Sequence, residues 1–459
     1  MKQNARPSLH VDILPDWEND TVSGAKITLW LEGVPLDPEE PLCSFLEEIY
    51  SIPTAIVWDS LRITDSAGNL PTRHSHKAEQ HQVTRQLFVQ RKTKGPILLT
   101  YRAVFSPSQP NPVLDMGQEP GGITGSGYCW MPSFPQDTYR LHLEFSHNNL
   151  PQGVRTLWAH GEDCTSLFLQ GDGLQKVFYC IGRVGCMEQG NFGYYWIQRE
   201  GFDASAIAHW TAEAFLQMAD FFEDGREAYK IFARARTCRI SGGVALNRSY
   251  TYIYDPQNPP AFPLLKFLFS HEMVHNWVLL FNEPYGTCTW YIEGMAEYYS
   301  LLLPWRLGLV SRDELLEQLN EKAERYYRSP CREYPNLKLG DLLFHDLEAT
   351  DVPYGRGLFY LMEVDERIRT KTSGKYCLDD VMKELLHRYR RDPLIQNRAW
   401  LEAVSKVAGY DETERFLAMC QGAVIPPVLS CFGEAGLTAE KVDAFTRRDH
   451  TPCQTYRIF

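Results

Sequence analysis

From His10 to about Ile197 the apolar positions recur at every second residue in short runs, as in "KITLWLEGV", "PILLTYRAVF", "YRLHLEFS" and "TSLFLQ", and clusters of Gly, Pro and Asn separate the runs. Alternation with a period of two marks half-buried strands, so residues 1–197 are expected to form a β-rich domain of mostly antiparallel sheet. Near Ala204 the period lengthens: "ASAIAHWTAEAFLQMADFFEDG" spaces its apolar residues as a helix does, and Gly225 offers a stop signal. A strand pair is expected around Gly242 and Gly243 in "YKIFARARTCRISGGVALNRSYTYIYDP". A helix opened by Pro263 is expected in "FPLLKFLFSHEMVHNWVLLF". From Ser311 onward the chain reads as helix after helix, through "SRDELLEQLNEKAERYYR", "GRGLFYLMEVDERIRT", "LDDVMKELLHRYRR" and "NRAWLEAVSKVAG". Neither an internal repeat nor a long linker interrupts it.

Composition narrows the classes of function. A chain of 459 residues is long enough for two or three packed lobes with a cleft, and 44% hydrophobic with 23% charged residues is a globular balance. With 46 basic against 58 acidic residues the net charge is -12, which repels phosphate backbones and anionic membranes. Nucleic acid and membrane partners are therefore not expected. The first residues hold no apolar run of signal-peptide length and no later stretch could span a bilayer, so a cytoplasmic location is expected. Twelve cysteines from Cys43 to Cys453 form no CxxC pair, which fits reduced thiols better than a disulfide framework. "RHSHKAEQHQ" gathers His74, His76 and His81, but its polar setting reads as a solvated connector rather than a metal site. The sequon Asn247-Arg248-Ser249 reads as chance.

The chemistry concentrates in "HEMVHNWVLLFNEPYGTCTWYIEGMAEYYS", from His271 to Ser300. On a helix, residues i and i+4 share a face, so His271 and His275 aim their imidazoles at one point with Glu272 beside them. That arrangement suits zinc, which in a catalytic site takes three protein ligands and keeps a fourth position open. One Zn2+ per chain is the expected cofactor. The third ligand is expected to be Glu293, eighteen positions past His275, on a second helix "TWYIEGMAEYYSLLL" that Thr289 would cap. Glu297, four residues further on the same face, would accept a hydrogen bond from a ligand histidine and fix its tautomer. Glu272 stands where a general base is needed for the attacking water. The developing oxyanion calls for a neutral donor such as a tyrosine hydroxyl, but among twenty-four tyrosines the pattern selects none. A merely amphipathic helix with two exposed histidines fits poorly beside Phe269, Trp277 and Trp290, which imply burial and hence partners for the polar groups.

HExxH followed at a distance by Glu-Gly resembles the gluzincins, the zinc peptidase clan of thermolysin, the aminopeptidase N family and leukotriene hydrolase. Two further stretches, "DVPYGRGLFYLMEVDERIRTKTSGKYCLDDVMKEL" and "FLAMCQGAVIPPVLSCFGEAGL", are similar to the glycyl aminopeptidase family. The resemblance runs from about Ala204 to Leu437, and loosely into the first half through "GPILLTYRAVF". It implies an α+β fold: the β-rich N-terminal domain, a thermolysin-like zinc catalytic lobe over residues 198–310, and a helical C-terminal lobe over 311–459. It also implies that Tyr354, in "PYGRG", is the tyrosine that stabilises the tetrahedral intermediate.

Two departures stand out. The family commonly carries a C-terminal PDZ domain, and the 22 residues after Leu437 are too few for one. The stretch "SGGVALNRS" matches the strand where these enzymes carry Gly-Gly-Leu-Glu-His or Gly-x-Met-Glu-Asn, whose edge pairs with substrate backbone and whose glutamate holds the free α-amine. Here Gly242 and Gly243 would permit close backbone approach, while Ala245 or Leu246 stands where the carboxylate would be. The expected activity is zinc-dependent hydrolysis of peptide or amide bonds. The alternative is the same site acting on a small-molecule amide, ester or epoxide. A non-catalytic binding protein is disfavoured, because His271, Glu272, His275, Glu293 and Tyr354 are present as a set.

Overall fold

The structure, a computed structural model, describes residues 6–79, 82–106, 114–199, 204–225, 227–236, 242–258, 261–278, 283–343, 345–391 and 396–459. The chain divides into two compact units: Met1–Ala212 with Gly225–Pro260, and Glu213–Asp224 with Ala261–Phe459.

The first unit is built on sheets. The largest has seven strands in the order Cys164–Gln170, Thr138–Phe145, Ser8–Glu18, Thr21–Glu32, Ile97–Val104, Ile56–Asp65 and Gly68–Asn69. Strict alternation makes its inner face: Leu9, Val11 and Ile13 are buried while His10 and Asp12 between them are not, and Leu141 and Leu143 alternate with His142 and Glu144 in the same way. All its pairings are antiparallel except that of Ser8–Glu18 with Thr138–Phe145. Trp130, Tyr101 and Tyr179 join the same core. The expected connector around His74 and His76 is instead a strand, Thr72–Glu79, at the edge of a four-stranded sheet. It escaped the alternation rule because it is exposed along most of its length, so it has no apolar face to display. His81 lies outside the described residues.

A five-stranded sheet closes this unit in the order Val184–Gln189, Phe192–Ile197, Tyr229–Ala235, Ser249–Tyr254 and Gly242–Leu246. The strand pair expected around Gly242 and Gly243 is thus part of three strands. Gly242–Leu246 is the edge, antiparallel to Ser249–Tyr254 and half-buried throughout.

The second unit is helical. Among the described residues the α-helices are α1 (Ser205–Phe221), which spans the division, then α2 (Phe262–Val274), α3 (Tyr285–Arg306), α4 (Arg312–Tyr327), α5 (Asn336–Leu342), α6 (Leu347–Lys371), α7 (Leu378–Tyr389), α8 (Asn397–Ala408) and α9 (Thr413–Cys420). Pro263 sits in the first turn of α2, and Ser311 with Glu314 forms a capping box on α4. Two expectations are corrected. Helix α3 starts at Tyr285 behind Pro284, so Thr289 is an interior residue and not a cap. The C-terminal region is not helical to its end: Ala439–Phe445 and Pro452–Ile458 form a hairpin, tied to α4 by paired hydrogen bonds between the Asn320 amide and the Ile458 backbone.

Among the described residues no helix is long and apolar enough to cross a membrane. Every described cysteine is a free thiol.

Candidate metal centre

Helix α2 is apolar on the side it buries, through Leu265, Phe267, Phe269, Met273 and Val274. His271 lies within its last turn. His275 is its C-cap, still in the right-handed helical region at φ -56 and ψ -20, so the i and i+4 imidazoles keep a common side. Their Nε2 atoms lie 3.2 Å apart. Just beyond, Trp277 stacks on Phe222 at 4.8 Å between centroids and donates from Nε1 to Asp224 at 2.7 Å, which holds the end of α2 in place.

Helix α3 brings in the third donor. Glu293 is buried, and its Oε2 is 3.3 Å from His271 Nε2 and 3.4 Å from His275 Nε2. The three donor atoms make a triangle with nearly equal sides. Zinc bound to nitrogen and oxygen at about 2.0–2.1 Å has a tetrahedron whose edges are about 3.3–3.4 Å, so this triangle matches one face and leaves the fourth corner open. The donor set of two imidazoles and a carboxylate is also one that zinc favours.

The charged groups of the cluster act on one another. Burial alone would raise the Glu293 carboxyl, but the His275 and His271 imidazoles outweigh it and hold the group below the usual carboxylate range. Burial likewise works against charge on His275, yet Glu293, Glu272 and Glu297 prevail and raise it. Glu272, half-buried next to His271 on α2, is thus part of the same field. Glu297 lies one turn beyond Glu293, buried, with Oε1 3.5 Å from His271 Nδ1 and 2.9 Å from Lys322 Nζ on α4. With Nδ1 turned toward a carboxylate, His271 offers Nε2 to the triangle as a lone pair.

Tyr354 comes from the second turn of α6. Its ring is stacked on His271, with centroids 5.8 Å apart and planes 16° from parallel, and the residue is half-buried. The structure therefore brings His271, Glu272, His275, Glu293, Glu297 and Tyr354 into one cluster within the second unit.

Residues 265–340 match the family model of the M61 glycyl aminopeptidases. The M61 match contains both histidines and Glu272, Glu293 and Glu297, and ends before Tyr354. No curated protein sequence matches the chain. Among solved structures, an aminopeptidase N family protein from Idiomarina loihiensis is similar at a TM-score of 0.71 and 14% identity, covering 97% of this chain and 81% of that one. An M1 zinc metallopeptidase from Deinococcus radiodurans is similar at 0.52 and 14% identity, covering 92% and 94%. A mutant of that metallopeptidase bound to a Tyr-Ser-Ala substrate is similar at 0.54 and 14% identity, with the same coverage. These likenesses give the fold: a mixed α/β chain with a β-rich N-terminal region and a helical C-terminal part, like the aminopeptidase N family.

Two features of the helices around the cluster were not read from the sequence. Lys322, the cation on Glu297, is 25 residues away from it and meets it only through packing. Gly294 and Gly357 are the second feature. A Cβ on Gly294 would lie 2.5 Å from Gly357 Cα, and one on Gly357 would lie 2.1 Å from the Trp290 carbonyl oxygen, so α3 and α6 touch backbone to backbone. The available signal was a glycine directly after Glu293 and another three residues after Tyr354.

The remaining expected site residues, Gly242, Gly243, Ala245 and Leu246, lie on the edge strand of the first unit. Ala245 pairs with Tyr250 and Leu246 with Ser249. Gly243 is required inside its own hairpin, because a Cβ there would meet the Tyr250 ring at 2.0 Å, whereas Gly242 has open space.

Proposed function

We propose that the chain is a zinc-dependent, aminopeptidase-type peptidase that hydrolyses peptide or amide bonds. The observation that carries this is the triangle of His271, His275 and Glu293 donor atoms, lying inside the stretch that matches the M61 glycyl aminopeptidases. These three residues would hold the ion. When bound, zinc supplies Lewis-acid polarisation of the water and of the scissile carbonyl. Glu272 accepts the proton of the attacking water and returns it to the leaving amine. The Tyr354 hydroxyl, carried on a ring already stacked against His271, donates to the oxyanion. Glu297, steadied by Lys322, keeps His271 in the tautomer that presents Nε2.

A second reading, the same chemistry on a small-molecule amide, ester or epoxide, rests on the family resemblance: Gly242–Leu246, the stretch that matches the family's amine-holding strand, carries no carboxylate. A peptide-library digestion by the zinc-loaded chain separates the two. Cleavage that disappears in Glu272→Gln supports the peptidase. Full zinc occupancy with no peptide cleaved would turn the assignment to the second reading.

A further inference from the structure

On the outer face of the seven-stranded sheet, away from the core, three neighbouring strands bring together side chains with metal-binding atoms. The parallel register sets His10 beside His142 and Asp12 beside Glu144, and the antiparallel register sets His142 opposite Ser166 and Glu144 opposite Cys164. Ligand atoms of His10, His142 and Glu144 all lie within 4.8 Å of one another. His142 Nε2 is 3.9 Å from Glu144 Oε2 and 3.7 Å from Cys164 Sγ. Its Nδ1 is 2.8 Å from Ser166 Oγ. A proton on Nδ1 donated to that hydroxyl leaves the Nε2 lone pair facing the carboxylate and the thiol, the tautomer that ligation needs.

We infer that His10, His142, Glu144 and Cys164 form a second divalent-metal site, of the class that zinc occupies, in the first unit. The chemistry is selective. Two imidazoles, one carboxylate and one thiol suit a borderline-soft ion, whereas calcium or magnesium would want oxygen alone. The distance from His142 Nε2 to Cys164 Sγ already approximates a nitrogen-to-sulfur edge of a zinc tetrahedron, about 3.5 Å. The wider gaps close by rotation of partly exposed side chains, since His142 is 38% and Glu144 52% exposed and Cys164 is exposed. Trp30 packs edge-on against His10 with centroids 5.0 Å apart, limiting the freedom of that imidazole. The net charge of -12 favours cation capture. His74 and His76, on the edge strand of another sheet, belong to no such group among the described residues.

The test is zinc stoichiometry of the full chain after chelation and dialysis against Zn2+, compared with His142→Ala and His10→Asn. Both positions are on the outer face, so folding is expected to survive, and circular dichroism checks it. The wild type should hold one zinc more than either variant. Because the readout is a difference, it is independent of whether the centre at Glu293 takes zinc. Cobalt substitution adds a spectroscopic readout: a thiolate-to-metal charge-transfer band that Cys164→Ser abolishes and Cys186→Ser, at the other exposed cysteine among the described residues, leaves intact. Equal zinc content in the wild type and both histidine variants would overturn the site. So would a cobalt band that survives Cys164→Ser.

Discussion

Gly294 and Gly357 meet with no side chain between them, and a Cβ on the first would fall 2.5 Å from the Cα of the second. Glu293 precedes one of these glycines and Tyr354 lies one turn before the other, so the crossing sets how far the tyrosine stands from the donor triangle. Gly357→Ala should force α3 and α6 apart. Overpacking of this kind costs about 1–3 kcal/mol, and zinc content and activity should fall together with the thermal midpoint. A variant with unchanged zinc, kinetics and melting would remove the crossing from the account of the site.

Glu293→Ala should lose the metal at this centre, since it removes the one anionic corner of the triangle. Chelation of the wild type should abolish turnover, and zinc should restore it. Elemental analysis of the variant decides the ligand: undiminished occupancy would move the assignment to Glu297.

Glu272→Gln should retain the metal and lose most turnover. The amide keeps the shape but cannot accept a proton, and general-base catalysis is worth about 10²–10⁴ in rate. Equal kcat/KM in variant and wild type would place the base elsewhere.

Tyr354→Phe keeps the ring that stacks on His271 and removes only the hydroxyl. Metal content should not change, while kcat should fall by about a hundredfold or more, as loss of one oxyanion donor does. If KM rises and kcat holds, the hydroxyl binds substrate and does not serve the oxyanion.

The resemblance to the glycyl aminopeptidases gives Gly242–Leu246 the role of receiving the free amine. On that reading substrates with a blocked or absent amine should do at least as well as free ones, because neither Ala245 nor Leu246 offers a carboxylate and an unpartnered buried cation is costly. Matched free and N-acylated substrates, ranked by kcat/KM, test this alongside Ala245→Glu and Leu246→Glu. A wild-type preference for free amines of about tenfold, equivalent to about 1.4 kcal/mol, would mean that another carboxylate holds the amine.

The grouping of His271, His275 and Glu293 was legible because its logic is local: a helical i, i+4 pair, then Glu-Gly on the next helix. The same is true of the first turn of α2 at Pro263 and of the α4 cap at Ser311, where the signal and the structure it causes sit within a few residues. What could not be read depends on partners distant in sequence. Thr289 looked like a cap because a good capping residue precedes an apolar run, but the cap is Pro284, five residues earlier. Thr72–Glu79 and the C-terminal hairpin carry too few buried residues to impose a period on the chain. Lys322 and the Gly294–Gly357 contact exist only once helices have packed.

Lys322 has one more consequence. Counted at formal charge, with the imidazoles neutral as ligation requires, Glu272, Glu293 and Glu297 contribute three negative charges and Lys322 one positive, which leaves two. A dication brings that sum to zero, a monovalent ion leaves it short, and a trivalent ion overshoots. On the proposed function, the charge of the surrounding helices favours a divalent ion, and coordination geometry is left to choose among divalent elements.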